Sequence, residues 1–257
     1  MSPLSHPLLA PSLSSPPGRG RGGLLSGSGL KAIAIAAMLI DHLAIYYFRF
    51  LPDFHKPLFS IGHHTVNLLV LMNSIGRLAF PIFAFLLVEG FLHTRNRKRY
   101  GINLLLFALI SEIPWNLVHS HHWLYPGQNV LFTLLLGFLG LCALEHFSDN
   151  RRKQAASLIA LLLLSLLLRA DYGGTGYTFI LFLYVLRKKR LLQAVIGSCM
   201  LGTWIAGFAF IPINMYNGRR GFIKGQYAKY LFYLIYPLHL AIIYLMQCSS
   251  LGSLGSS

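Results

Sequence analysis

The sequence predicts an all-α fold, a polytopic transmembrane bundle of about eight helices, and three observations carry that reading. Hydrophobic residues make up 55% of the chain and charged residues 11%, less than half the globular norm of roughly 25%. Seven acidic residues in 257 cannot solubilise a chain this apolar. Apolar runs of membrane-spanning length recur from residue 30 to residue 248, with the basic residues gathered between them.

A helix needs roughly 20 mostly apolar residues to cross the hydrocarbon core. On that criterion the spans fall at 30–50, 68–93, 100–120, 130–147, 155–170, 177–186, 191–213 and 229–248, the sixth being short. Residues 1–29 are rich in Pro, Ser and Gly and read as a disordered tail. They lack the early apolar run and small-residue cleavage pattern of a signal peptide. Residues 249–257 read as a second, flexible tail. The prolines Pro81 and Pro114 kink their helices and free backbone carbonyls.

Orientation follows the Lys/Arg bias. Basic clusters at 95–99, 151–153 and 187–190 occupy alternate loops, which places them and the N-terminus in the cytoplasm. The +15 net charge is thereby explained by anionic headgroups, and no nucleic acid is expected as partner. One loop resists: residues 217–225 should lie outside in an eight-span count, yet carry Arg219, Arg220 and Lys224. Either the count is off by one near the sixth span or this loop, with Asn217, binds something anionic.

Ionisable groups inside the membrane are costly and mark function by default. Asp41 and His42 lie about 11 to 12 residues into the first span, about 17 Å deep. Arg77 in the second span, Glu112 in the third and His239 in the last fall at a similar level. Arg77 must pair with a carboxylate, and Asp41 and Glu112 are within reach by depth. Neighbours on a helix point about 100° apart, so Asp41 is assigned to charge pairing or to orienting the site and His42 to chemistry. Glu89 lies nearer the cytoplasmic end, with either a solvated or a functional role. Asn129 and Thr133 share one helix face and either line a cavity or pack helices together.

Soluble-enzyme templates are absent: no P-loop, GxSxG, HExxH or GxGxxG before a helix. Cys142, Cys199 and Cys248 lie in apolar runs without disulfide or metal-ligand spacing, and no metal is expected. Midplane Asp, His, Arg and Glu suit an enzyme or a proton-coupled small-molecule transporter. No repeat halves or paired broken helices favour the transporter. A structural partner in pilus or envelope assembly is a third class.

The stretches LKAIAIAAMLIDHLA (30–44), IGRLAFPIFAFLLVEGFLHTRNRKRY (75–100), ALISEIPWNLV (108–118), NVLFTLLLG (129–137), YNGRRG (216–221) and KYLFYLIYPLHL (229–240) resemble the TraX family, named for the conjugative F-pilin acetylase. They run in family order over about residues 30–245, and residues 30–248 form the expected TraX-like domain. A looser likeness joins the chain to membrane-bound acyltransferase family 3, through the position of His42 in the first span and the segment 81–90.

The resemblance implies a bacterial inner-membrane acetyltransferase that takes acetyl from acetyl-coenzyme A and delivers it to an amine or hydroxyl, a pilin N-terminus or an envelope carbohydrate. Within that reading His42 is the general base, with a pKa suited to neutral pH; a covalent acetyl-histidine is a variant. Asp41 holds the imidazole, and Arg77, Glu112, Glu89 and His239 form the polar network. Arg95, Arg97 and Arg99 hold the phosphates of coenzyme A or serve as topology signals. Asn217, Arg219 and Arg220 bind the acceptor or an anionic donor group.

Overall fold

A computed structural model describes residues 23–62, 64–222 and 226–254. It is an all-α membrane bundle. Helix α1 (Gly27–Tyr46) leads through two 3-10 turns into a hairpin of β1 (Pro57–Ile61) and β2 (His64–Asn67). Then follow α2 (Leu68–Gly76), α3 (Ala79–His93), α4 (Arg97–Ser120), α5 (Val130–His146), α6 (Arg151–Leu167) and α7 (Gly173–Val185). Three short helices, α8 (Arg190–Met200), α9 (Trp204–Gly207) and α10 (Phe210–Asn214), precede α11 (Gln226–Leu254).

Local chemistry sets several of these boundaries. Asn67, Asn96, Asn129 and Asn150 stand just before α2, α4, α5 and α6, and each side chain accepts from a backbone N–H of the first turn, which satisfies a donor the helix leaves open. The second span bends between α2 and α3. Pro81 lacks the N–H that would reach the Arg77 carbonyl, so the chain turns at Gly76 and Arg77.

Four segments, Gly27–Phe50, Leu68–His93, Arg97–Ser120 and Tyr230–Ser250, are long and apolar enough to cross a membrane. The outer face of α11 carries Leu231, Leu234, Leu238, Ile242 and Leu245 at helical spacing, all about half exposed or more. A stripe that would be an aggregation hazard in water is what lipid requires. The inner face buries Tyr236, Leu240 and Ile243. The principal packings are α11 on α4, α1 on α2 and α3, and α5 on α6 and α7.

Ordered structure extends into both segments expected to be tails. Helix α1 begins at Gly27, capped by Ser26, and Leu25 pairs with Tyr216, so residues 25–29 belong to the ordered domain; residues 1–22 lie outside the described residues. Helix α11 runs to Leu254, into the segment expected to be a tail.

The seventh apolar segment folds back on itself. Gly202 at φ 66° turns the chain between α8 and α9, and the Arg190 guanidinium at the start of α8 donates to the Asn214 carbonyl at the end of α10 (3.5 Å). Both ends of 190–214 therefore lie at one end of the bundle. From there residues 215–220 run along the start of α1: Leu25 N donates to Met215 O (3.0 Å), Gly27 N to Arg219 O (2.8 Å) and Ser28 N to Arg220 O (3.0 Å). At this same end Glu145 joins Arg97 (2.6 Å) and the Tyr184 hydroxyl (2.8 Å). The basic loop that defied the eight-span count thus sits with the N-terminus of α1 and the other basic clusters. Lys224 lies outside the described residues.

This path predicts a labelling pattern. In a variant lacking the native cysteines, single cysteines at Lys98 and Arg219 react with an impermeant maleimide from one side of the membrane, and one at Trp123 from the other. Opposite-side labelling of 98 and 219 would refute the fold-back.

Candidate active site

A cavity of about 1320 Å³ opens along α1. Gly27, Lys31, Ile35, Met38, His42 and Tyr46 line it at the three- and four-residue spacing of one helix face. From Gly27 to Tyr46 the helix rises about 28 Å, the thickness of the hydrocarbon core, so the cavity reaches from one end of the bundle to the other.

About 22 Å along this rise stands a histidine pair. His42 Nδ1 lies 2.6 Å from His239 Nε2, with the rings stacked at 4.9 Å. His239 Nδ1 lies 2.8 Å from the Ile235 carbonyl. A carbonyl only accepts, so His239 carries its proton on Nδ1. With both rings neutral, its bare Nε2 accepts from His42 Nδ1–H. That fixes the tautomer: the lone pair of His42 is on Nε2. His42 lines the cavity, whereas His239 stands behind it and is not part of the wall.

Asp41 and Arg77 both line the cavity and attract each other electrostatically. Gly76 makes this possible, because a Cβ there would collide with the Asp41 carboxyl. Asp171, absent from the sequence reading, lines the same wall and acts on Asp41 as a second negative group. It sits in the turn between α6 and α7, where Thr133 donates to its carbonyl oxygen and Tyr172 N to its carboxylate (3.1 Å). Burial pushes its carboxyl up to about 6, against the Tyr172 hydrogen bond that lowers it.

Glu112 departs from expectation. Its Oε2 accepts from Asn129 Nδ2 (2.6 Å), an amide that also donates to the Ala108 carbonyl (2.9 Å), and it is not part of the cavity wall. Equal depth put Glu112 level with Arg77, but rotation about α4 turns it toward α5. Asn129 and Thr133 are fully buried and also join elements instead of lining the cavity. Glu89 does line it, 6% exposed.

The end of the cavity beside the start of α1 is basic. Lys31, Arg95, Arg99 and Arg220 line it, from α1, the α3–α4 turn, α4 and the loop after α10. Arg99 donates to the Tyr230 hydroxyl (3.2 Å). Lys31 sits over the Phe232 ring (5.4 Å) and feels the repulsion of Arg220. Arg97 does not join them: besides its ion pair with Glu145 it packs over Phe91 (4.2 Å). Arg219 and Asn217 also fall outside the wall. The Asn217 side chain accepts from Arg219 N (2.9 Å) and its N–H donates to Leu25 O (2.9 Å), which shapes the loop that presents Arg220.

Toward the other end the Tyr46 hydroxyl meets His119 Nε2 (2.7 Å), and His119 Nδ1 meets the Trp115 carbonyl (2.8 Å). Tyr125 stacks on His119 (4.7 Å). Tyr46 follows His42 by one helical turn, a spacing legible in the sequence. His119 and Asp171 carried no such signal, because each sits where a span was assumed to end.

The molecule is thus a polytopic helical membrane protein with an internal polar cavity, its titratable groups drawn from separate helices. The chain belongs to the TraX protein family, which it matches over residues 26–247. It is 31% identical to the probable fimbrial assembly protein FimC, serogroup H1, of Dichelobacter nodosus, over 83% of this chain and 92% of that protein. No solved structure matches it.

Glu112 tests the separation of framework from site. Glu112→Gln keeps an acceptor for Asn129 and leaves the melting temperature of the purified protein nearly unchanged, whereas Glu112→Leu strands that amide at a cost of about 1–3 kcal/mol. Equal melting temperatures for the two variants would contradict the framework role.

Proposed function

We propose that the protein is an acetyltransferase that moves acetyl from acetyl-coenzyme A to an amine or hydroxyl acceptor. The observation that carries this reading is His42, a cavity-lining histidine whose lone pair is fixed on Nε2 by the His239 hydrogen bond. An acceptor amine or hydroxyl attacks a thioester well only as its proton leaves, and a neutral imidazole near that proton is the side chain matched to the task. His42 Nε2 takes the acceptor proton and returns it to the departing thiolate. His239, not Asp41, orients the imidazole and shares its positive charge. Asp41 and Arg77 form the polar wall beside it.

The spacing of the basic end supports the donor. Eleven residues separate Lys31 from His42 on α1, about 16 Å of rise. The pantetheine arm of coenzyme A has about twelve backbone bonds between phosphate and sulfur, as long as four extended residues, about 14 Å. Phosphates held by Lys31, Arg95, Arg99 and Arg220 bring the thioester to the level of His42. The Lys/Arg bias supports an inner-membrane protein of a bacterial cell with this end and the N-terminus in the cytoplasm, where acetyl-coenzyme A is made. The fimbrial name of the Dichelobacter relative supports a pilin N-terminus as acceptor; an envelope carbohydrate approaching from the Tyr46–His119 end fits the same chemistry.

The test is thiol release from acetyl-coenzyme A by purified protein in nanodiscs, with acceptor supplied as a peptide bearing a free α-amino group. His42→Ala lowers the rate by about 10²–10⁴-fold while the protein still inserts and melts normally. Arg99→Glu and Arg220→Glu raise KM for acetyl-coenzyme A, and Arg97→Glu does not. Full activity in His42→Ala, or solute uptake by proteoliposomes without acetyl-coenzyme A consumption, would overturn the reading.

A further inference from the structure

Tyr236 carries a hydroxyl the fold does not use. The residue is 5% exposed, forms part of the cavity wall, and its Oη makes no hydrogen bond among the described residues. A buried phenol normally keeps its hydroxyl because a partner meets it, and leaving one unpaired is destabilising. Phenylalanine would fill the same space without that penalty. The Tyr236 ring lies edge-on to both histidines, with centroids 6.2 Å from His42 and 5.5 Å from His239.

The hydroxyl faces the start of α5, a 17-residue helix. There the Asn129 side chain caps Leu131 N, the Asn129 carbonyl takes Phe132 N, and the Val130 N–H approaches the Tyr236 oxygen without completing a hydrogen bond. Val130 also lines the cavity. A helix N-terminus favours negative charge, and here a buried, unpartnered O–H donor stands beside one, next to the proposed base.

We propose that the Tyr236 hydroxyl, together with the Val130 N–H at the N-terminus of α5, is the oxyanion hole for the thioester carbonyl; this rests on the acetyl-transfer reading above. The acceptor lone pair forms a bond to the carbonyl carbon as its proton passes to His42 Nε2. The C=O π pair moves onto oxygen, which takes hydrogen bonds from Tyr236 and Val130. When the intermediate collapses, the C=O bond reforms, the C–S bond breaks, and the thiolate takes the proton from His42. The donors act on charge that exists only in the intermediate and its flanking transition states, so they raise the rate without tightening ground-state binding.

The experiment measures thiol release from acetyl-coenzyme A in nanodiscs, with the amino-terminal peptide as acceptor and with water alone. Tyr236→Phe lowers kcat by about 10²–10³-fold in both, leaves KM for acetyl-coenzyme A in place, and melts no lower than the native protein. Wild-type kcat in Tyr236→Phe, or a change confined to KM, overturns the oxyanion role and leaves acetyl transfer standing. If wild-type protein releases no thiol, both proposals fall. Difluorotyrosine at position 236 decides the matter should Tyr236→Phe not fold: the rate then acquires an alkaline limb at the ionisation of the more acidic phenol, where the donor proton is lost, and an unshifted pH profile overturns the proposal.

Discussion

The constraint on which this structure depends is the cost of an unsatisfied polar group in hydrocarbon. With no water to fall back on, each such group must be paired inside the protein or opened to a cavity. The chain uses both solutions. Glu112 through its Oε2, Asn129 and Thr133 are paired between helices and hold α4, α5 and the α6–α7 turn together. Asp41, His42, Arg77, Asp171 and Tyr46 open to the cavity.

The same constraint explains how the site is built. Each member of the histidine pair uses one nitrogen for the other, and the inner ring is anchored on a backbone carbonyl of its own helix. That anchor lies four residues back along α11, one turn before His239. The arrangement leaves Nε2 of the cavity-lining His42 outside the pair. The Tyr46–His119–Trp115 chain repeats the pattern one turn further along α1, so two histidines serve the cavity at different heights.

The basic end shows how helices and loops divide the work. Lys31 and Arg99 are placed by helices, whereas Arg220 is placed by a loop whose carbonyls bind the first N–H groups of α1. Those N–H groups have no partner within the helix. Their satisfaction by residues 215–220 ties the end of the folded-back segment to the helix that carries His42.

The sequence by itself determined the membrane class, the position of nearly every helix, and the common depth of Asp41, His42, Arg77 and His239. All of these follow from apolar run length and the fixed rise of a helix, which are one-dimensional quantities. Only the tertiary structure decided which of two level carboxylates faces Arg77, that Arg97 turns to Glu145, that the seventh segment returns to its own end, and that Asp171, His119 and Tyr236 join the site. Those outcomes depend on rotation about each helix axis and on which loops meet. Both are set by packing among segments far apart in the chain, and hydropathy read along a single segment carries no record of them.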